Sequence, residues 1–304
     1  MLKNTIWLNG KYLAGPEGKV SLASASLHYG TGVFEGILCV KSIPGGKSAV
    51  FRLREHIGRL FGSARVLGYR VPYSAEELTG AITGLVKANK YGSCYIRPFV
   101  FGASDYLGLL PESRSVNTAV LCRSFNPVLY RMRMGAGLKV TVSKTIRNSY
   151  PDVLIKAKAS GKYLNGVLAK SEAAKKGFDD ALLLDRKGNV SEATSSNIFI
   201  VKGWDISTPS SKGVLSGITR DSVIRISGEL GFKVSEKEIS PEELFGADEV
   251  FLTGTALGIV RVCRADARKY PDLGSRSPVK RLRRRYLDIL EGKAPEYREW
   301  LTCV

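Results

Sequence analysis

One lysine stands among small residues where a helix is predicted to begin. The segment from residue 156 to residue 163 reads Lys-Ala-Lys-Ala-Ser-Gly-Lys-Tyr. The small residues after Lys158 leave room for a bulky group beside its amine. A solvated stretch of surface has the same composition, because most lysines lie in water. The segment alone therefore leaves both interpretations open.

A carboxylate and two loops are further candidates. Glu192 lies among small hydroxylated residues just before a hydrophobic run, where it is either a buried acceptor or part of a polar turn. The loop 214–217 precedes a helix predicted to begin at about Thr219. N–H groups without an intrahelical acceptor at a helix start bind phosphate, but an ordinary N-cap at Thr219 explains the same residues. The turn after Thr253 offers further N–H and hydroxyl donors.

Tyr95 and Arg97 form the fifth candidate feature. They lie two residues apart in a predicted strand, so their side chains point to the same face. An arginine beside aromatic residues either receives an anion or extends its charged end to the edge of the sheet. The two histidines of the chain, His28 and His56, are interpreted as structural.

The elements around these residues predict an α/β (α+β) protein in two parts. The Asn9-Gly10 turn predicts an N-terminal hairpin, and apolar periodicity predicts helices at about 54–68, 75–89, 163–176 and 219–230. Strands are predicted at 37–40, 94–101, 117–123, 139–143, 181–185, 197–201 and 250–253, with Pro98 limiting the pairing of its strand. We expect an N-terminal small α/β domain at 1–123, a linker at 124–137 and a larger C-terminal α/β domain at 138–304 that carries Lys158.

Composition excludes several classes of protein. No apolar run is long enough to cross a bilayer, and the N-terminus lacks the features of a signal peptide, so we expect a cytoplasmic protein without a membrane partner. The five cysteines are scattered and the histidines number two, which predicts neither a disulfide framework nor a metal site. The net charge of +18 suits anionic ligands. However, Val279, Leu282, Tyr286 and Ile289 make the most basic run an amphipathic helix with a solvated face, and no nucleic-acid partner is predicted.

Taken together and in order, these segments resemble one family. HYGTGVFEG, RLREHIGRL, YIRP, KAKASGKYLNG, SEATSSNIF, LSGITR, DEVFLTGTA and YLDILEGKAPEYREWL make the chain similar, nearly from end to end, to the branched-chain amino acid aminotransferases of fold-type IV. The resemblance implies two α/β domains with pyridoxal 5'-phosphate at their interface. It also implies a homodimer or a higher homo-oligomer.

The resemblance assigns the cofactor residues. Lys158 aligns with the lysine that forms the Schiff base, five positions before Tyr163. Glu192 is expected at the pyridine nitrogen and Tyr163 at the phenolic oxygen of the ring. Arg59 is expected to bind the phosphate, for which a solvated helix residue is the alternative interpretation. Ile218, Thr219 and Thr255 are expected to add backbone or hydroxyl donors.

The resemblance also assigns the substrate residues and the reaction. Tyr95, Thr255 and Ala256 are expected to receive the α-carboxylate, and Arg97 the second carboxylate of glutamate or 2-oxoglutarate. The side-chain pocket is expected to be lined by Tyr29, Phe34, Gly36 and Tyr130. The implied reaction is ping-pong transamination between leucine, isoleucine or valine and 2-oxoglutarate, with Lys158 as the base.

Several alternatives share part of these features. D-amino-acid transaminases, amine transaminases and aminodeoxychorismate lyases share the lysine, the glutamate and the phosphate site, whereas Tyr95, Arg97 and the C-terminal segment favour the branched-chain family. The residues after Glu192 read Ala-Thr-Ser-Ser, where many relatives carry glycines and another acidic residue. A basic nucleic-acid-binding protein would explain the charge but not the ordered motifs.

Overall fold

The strands of the first part of the chain form one antiparallel sheet. The structure is a computed structural model that describes residues 4–43, 46–103, 108–109, 116–127, 130, 137–146 and 152–304. The strands are β1 Thr5–Leu8, β2 Lys11–Ala14, β3 Val33–Phe34, β4 Ile37–Ile43, β5 Lys47–Phe51, β6 Cys94–Gly102, β7 Val116–Ser124 and β17 Leu301–Cys303. Within the described residues the sheet has the order β17-β5-β4-β6-β7-β1-β2, and β3 pairs with β6.

Two amphipathic helices cover the buried face of this sheet. Leu53–Val66 and Ala75–Ala88 direct Ile57, Leu60 and Leu85 into the core with the sheet residues. The second helix begins at a capping box in which the Ser74 hydroxyl accepts from the Glu77 N–H and the Glu77 carboxylate accepts from the Ser74 N–H. A short helix, Ala25–Tyr29, and the 3-10 helices Gly15–Glu17 and Pro295–Trp300 complete this part.

A break lies between β3 and β4, opposite Pro98 of β6. Val33–Phe34 pair with Val100 and Phe99, and Ile37 pairs with Ile96 in the same register. Glu35 donates its N–H to the Pro98 carbonyl at 2.9 Å, but Pro98 has no N–H to return. Pro98 therefore interrupts the ladder as its residue type predicts, and the interruption falls at Glu35 and Gly36.

The strands of the second part form a mixed sheet. They are β8 Leu138–Ile146, β9 Asp180–Leu184, β10 Val190–Ala193, β11 Asn197–Lys202, β12 Asp205–Thr208, β13 Lys233–Glu236, β14 Glu249–Gly254, β15 Gly258–Ala265 and β16 Arg268–Lys269. Among the residues described, the order is β10-β9-β8-β15-β14-β11-β12-β13, with β16 beside β15. The β8–β9, β8–β15 and β12–β13 pairs are parallel and the others antiparallel.

The helices of the second part follow its sequence periodicity. They are Asp152–Lys156, Leu164–Lys175, Ile218–Glu229, Pro241–Gly246 and Pro278–Leu290, with 3-10 helices at Ser160–Tyr163 and Gly274–Arg276. In the basic helix, Val279, Leu282, Tyr286 and Ile289 are all buried, as the spacing of its apolar residues predicts. Within the described residues, no helix has the length and apolar character that spanning a membrane would require.

The chain divides into two compact units that are not contiguous in sequence. The first unit contains Met1–Asn126, Ala157–Gly161 and Ile289–Val304, and the second contains Pro127–Lys156 and Lys162–Asp288. The prediction placed Lys158 in a C-terminal domain, whereas its segment pairs with the first unit. The contiguous domains at 1–123 and 138–304 stay a prediction, and much of the predicted linker (128–129 and 131–136) lies outside the described residues.

The predicted α/β class is confirmed, as are the predicted N-terminal hairpin and the main helices. Asn9 and Gly10 both have positive φ, at 47° and 87°, which is the geometry of a type I′ turn. The helix expected at about Thr219 begins one residue earlier, at Ile218.

Candidate active site

The segment that carries Lys158 is held by backbone pairing within the first unit. Val33 and Ala159 form an isolated antiparallel bridge. The Phe34 N–H donates to the Lys158 carbonyl at 3.1 Å, and the Lys158 N–H donates to the Ser63 hydroxyl at 2.9 Å. The lysine backbone is thus fixed on both sides, which leaves its side chain as the adjustable group.

A buried carboxylate lies beside this lysine segment. Glu35 has no exposed surface and accepts two hydrogen bonds from Arg59, from Nε at 2.6 Å and from Nη2 at 2.8 Å. Its second oxygen also lies 2.7 Å from Nδ1 of the buried His56. His56, Arg59 and Ser63 lie at i, i+3 and i+7 of one helix, and therefore on one face. The structural role of His56 stays a prediction, and the structure places its ring beside the Glu35 carboxylate.

The charges of this cluster change one another's pKa. Burial opposes ionisation of Glu35, but Arg59 and His56 outweigh burial and hold the pKa of Glu35 well below its usual range. Burial lowers the pKa of His56, although Glu35 opposes the change. Burial, followed by the charge of Arg59, lowers the pKa of Lys158 from 10.5 to about 8. An amine with this pKa reaches its neutral, nucleophilic form near neutral pH.

Arg97 lies among aromatic rings on the same side of the sheet. Its Nη2 donates to the Tyr95 hydroxyl at 3.1 Å, which confirms that the two side chains share a face. The guanidinium carbon is 4.5 Å from the centre of the Phe34 ring, and Lys158 Nζ is 5.1 Å from that ring. The Nε of Arg97 is buried without a hydrogen-bond partner in the described structure. A buried donor of this kind needs an acceptor, and a bound ligand can supply one.

Gly36 is required by the close approach of Tyr95. A Cβ at position 36 would lie 1.9 Å from the Tyr95 hydroxyl oxygen. Because no real side chain tolerates this distance, only glycine lets Tyr95 and Arg97 keep their hydrogen bond.

In the second unit, Glu192 and Asn197 fix the loop that precedes the helix Ile218–Glu229. The Leu215 N–H donates to Glu192 at 3.2 Å, and the Asn197 side-chain amide donates to the Leu215 carbonyl at 3.0 Å. A Cβ on Gly217 would lie 2.0 Å from the Asn197 amide oxygen. Glycine at 217 therefore allows the loop to pack against Asn197.

The same loop ends in a helix start without a side-chain cap. Gly217 is the N-cap residue and makes no side-chain hydrogen bond, so the alternative that Thr219 serves as the N-cap is wrong. Thr219 is buried. The hydroxyls of Ser196 and Thr253 are buried and have no partner within the described residues. Helix-start N–H groups and unpartnered hydroxyls make a donor set suited to phosphate.

The remaining predicted residues have simpler surroundings. Thr255 and Ala256 lie in the half-buried turn between β14 and β15. Tyr163 is half-buried at the N-cap of the helix Leu164–Lys175. Tyr29 is 42% exposed at the end of its helix, and Tyr130 is 36% exposed.

The first unit thus brings together Lys158, Arg59, Phe34, Gly36, Tyr95 and Arg97. Sequence reasoning assigned no role to Glu35, Ser63 or Asn197. The spacing of Ser63 from Arg59, four residues along the same predicted helix, is a signal that could have found Ser63. No group of three or more His, Cys, Asp or Glu side chains suited to a metal occurs in the described ranges.

Comparison with known proteins gives a consistent result. The family model described as Amino-transferase class IV matches residues 32–265. The chain is 36% identical to a branched-chain-amino-acid aminotransferase of Pseudomonas aeruginosa over 300 residues, which cover 98% of this chain and 97% of the relative.

Solved structures agree. A branched-chain aminotransferase from Thermoproteus uzoniensis with norvaline has a TM-score of 0.92 and 37% identity, covering 99% of both chains. A branched-chain amino acid aminotransferase from T.th., complexed with N-(5'-phosphopyridoxyl)-L-glutamate, has a TM-score of 0.89 and 39% identity, covering 99% of this chain and 98% of that one.

Proposed function

This chain belongs to the branched-chain-amino-acid aminotransferases of the class IV family, which use pyridoxal phosphate, and from that premise we propose that it transfers amino groups between leucine, isoleucine or valine and 2-oxoglutarate by a ping-pong reaction. One observation carries the choice of acceptor. Among the residues that the structure describes, the Nε of Arg97 is buried and has no hydrogen-bond partner, and the guanidinium lies against the ring of Phe34. Aromatic walls suit an aliphatic side chain, and the guanidinium suits a second carboxylate.

Lys158 is the proposed catalytic residue. When bound, the cofactor supplies an electron sink for the charge that remains when the substrate's Cα proton leaves. The Lys158 amine would hold the cofactor, and as a free amine it would accept the Cα proton of the substrate and return it. Its pKa of about 8 supports this role, since a base works best when its pKa lies near the working pH.

The proposed cofactor contacts fall into two groups, one at the phosphate and one at the pyridine ring. Arg59 and the donors of Ile218, Thr219 and Thr255 bind the phosphate. Glu192 accepts a hydrogen bond from the protonated pyridine nitrogen, and Tyr163 donates to the phenolic oxygen. The position of this loop at the start of the helix Ile218–Glu229 supports the phosphate assignment.

The proposed substrate contacts rest on the family resemblance, and the contacts among Tyr95, Arg97 and Phe34 support them. Tyr95, Thr255 and Ala256 receive the α-carboxylate, and Arg97 the second carboxylate of a dicarboxylic substrate. Phe34 and Gly36 border the side chain, together with Tyr29 and Tyr130. We also propose a homodimer or a higher homo-oligomer in the cytoplasm, on family analogy alone.

The visible spectrum of the purified protein tests this proposal. The absorbance band of the bound cofactor should disappear on adding L-leucine and return on adding 2-oxoglutarate. Lys158→Ala should abolish the band. A band that responds to a D-amino acid or an amine instead of leucine would keep the cofactor assignment and overturn the substrate assignment.

A single variant separates the two substrate classes. Arg97→Met should leave the half-reaction with leucine close to its original rate and slow the half-reaction with 2-oxoglutarate by roughly 10- to 100-fold, since a charged hydrogen bond is lost. Arg65→Met, at an exposed position of the helix Leu53–Val66, is the matched control. Equal slowing of both half-reactions would contradict the assignment of Arg97 to the second carboxylate.

A further inference from the structure

A basic groove with an exposed tryptophan lies in the second unit, built from residues with no part in the chemistry proposed above. It has a volume of about 460 Å³ and is bordered by the turn at Gly203–Trp204, by Asp248, by Arg268 of β16, and by Arg276 and Arg281 near the start of the basic helix. This volume lies within the range of small-molecule sites.

Three guanidinium groups in this groove form no salt bridge with any residue that the structure describes. For Arg268, Arg276 and Arg281, no carboxylate lies within salt-bridge distance anywhere in the described ranges of the chain. The groove's own carboxylate, Asp248, is already held by Lys202 Nζ at 3.1 Å and by a backbone N–H at 2.8 Å. The groove therefore has an excess of positive charge that an anionic ligand can neutralise.

Trp204 gives the groove an aromatic face. It is 62% exposed, and its ring stacks on Phe232 with the ring centres 5.3 Å apart and an interplanar angle of 26°. The guanidinium carbon of Arg281 lies 5.4 Å from the Trp204 ring centre and 5.3 Å from that of Phe232. Packing against Phe232 and Arg281 holds the indole in place, while most of its surface faces solvent.

We propose that this groove binds a mononucleotide carrying two or three phosphates. The base stacks on Trp204, since every base offers a π-face to an aromatic side chain. The phosphates lie among Arg268, Arg276 and Arg281, because a guanidinium group can form two parallel hydrogen bonds to phosphate oxygens. A phosphate-only ligand would leave Trp204 without a function, and the combination of ring and arginines selects a ligand that has both parts.

The tryptophans of the chain make the proposal directly measurable. Trp7 and Trp300 are 5% and 3% exposed, whereas Trp204 is the exposed one of the three. Titration of the holoenzyme with ATP at low salt should quench tryptophan fluorescence to saturation, and calorimetry should give the same dissociation constant. Trp204→Phe should remove the fluorescence change while retaining binding by calorimetry, because a phenyl ring also stacks.

Matched charge variants separate a built site from general attraction to a basic protein. Arg276→Gln should raise the dissociation constant for ATP by roughly tenfold, the loss of one charged hydrogen bond. Arg283→Gln makes the same change at an exposed position of the basic helix Pro278–Leu290, outside the groove. It should change the dissociation constant by less than about twofold. Neither variant should alter the cofactor absorbance, so failure here is distinguishable from failure of the proposed transamination.

Four results would overturn the proposal. The first is the absence of saturable ATP binding at millimolar concentration, and the second is equal weakening of ATP binding by Arg276→Gln and Arg283→Gln. The third is binding of tripolyphosphate as tight as that of ATP, which would indicate an anion site without base recognition. The fourth is much tighter binding of a single-stranded oligonucleotide that both arginine variants weaken, which would indicate a nucleic-acid surface.

Discussion

The amine of Lys158 is expected to destabilise the cofactor-free protein. Its pKa falls from 10.5 to about 8, first through burial and then through the charge of Arg59. One pKa unit corresponds to about 1.36 kcal/mol, so protonation of this amine in the folded state costs about 3 kcal/mol relative to the unfolded chain. Lys158→Met keeps a similar length without a charge, and should be more stable than the parent by about that amount at pH 7.

The direction of the pH dependence follows from proton binding. Between pH 8 and pH 10.5 the unfolded chain binds the Lys158 proton more readily than the folded protein does. The contribution of Lys158 to the free energy of unfolding therefore rises with pH across this window, and this gain is lost as the pH falls to 8. Below pH 8 both states carry the proton and the cost is constant. Lys158→Met lacks this slope, so the two proteins should converge in stability above pH 8.

Urea unfolding of cofactor-free protein at a series of pH values measures this effect. The difference in free energy of unfolding between Lys158→Met and the parent should be largest up to pH 8 and shrink towards pH 10. Lys156→Met, at an exposed lysine two residues away, is the control and should give no such convergence. Parallel curves for Lys158→Met and the parent would refute the inference that burial and Arg59 depress this amine's pKa.

Three further substitutions test other parts of the site. Glu35→Gln leaves the partly buried Arg59 without its carboxylate and should lower the free energy of unfolding by about 3–5 kcal/mol in urea denaturation. It should also flatten the loss of stability below about pH 4.5, because the contribution of Glu35 disappears as the pH falls towards its depressed pKa. Gly36→Ala would place a Cβ 1.9 Å from the Tyr95 hydroxyl, and should lower kcat/KM for leucine by roughly 100-fold in steady-state assays. Asn197→Ala removes the hydrogen bond to the Leu215 carbonyl, and should raise the dissociation constant of the cofactor by roughly tenfold in a spectral titration.

Controls for the first two of these substitutions are available in the same unit. Glu76→Gln changes an exposed carboxylate and should leave stability within about 0.5 kcal/mol. Gly58→Ala adds a methyl group where nothing lies within 4 Å, and should leave kcat/KM unchanged. Unchanged cofactor affinity in Asn197→Ala would show that the loop before Ile218 keeps its position without this bond.

Local chemistry predicted much of the fold. The Asn9-Gly10 turn and the apolar stripe of the helix Pro278–Leu290 depend on neighbours in the chain, and both appear as expected. The return of the Lys158 segment to the first unit depends on hydrogen bonds to Phe34 and Ser63, which are about a hundred residues distant. Periodicity contains no information about such long-range pairs, so a boundary drawn from composition assigned the lysine to the following domain.

The candidate site shows the same division. That Tyr95 and Arg97 share a face follows from strand geometry. The lack of a hydrogen-bond partner for Arg97 Nε among the described residues does not, because it depends on which groups the fold places nearby. Similarly, Arg59 was predicted as a phosphate ligand by resemblance. Its pairing with Glu35 joins residues on two different elements, which neither element alone indicates.

The segment Phe34-Glu35-Gly36 explains why these features occur together. Successive side chains of an extended chain point to opposite faces, so Phe34 and Gly36 face Arg97 and Tyr95, while Glu35 faces the helix that carries Arg59. Pro98 returns no hydrogen bond to this segment, and the ladder is interrupted there without loss of register. A shift of one residue would exchange the two faces. The same register therefore sets both the shape of the aromatic cluster and the pairing of Arg59 with Glu35. A change of register at this segment would therefore disrupt both the aromatic cluster and the Glu35–Arg59 pair. A change of a single side chain would disrupt only one of the two.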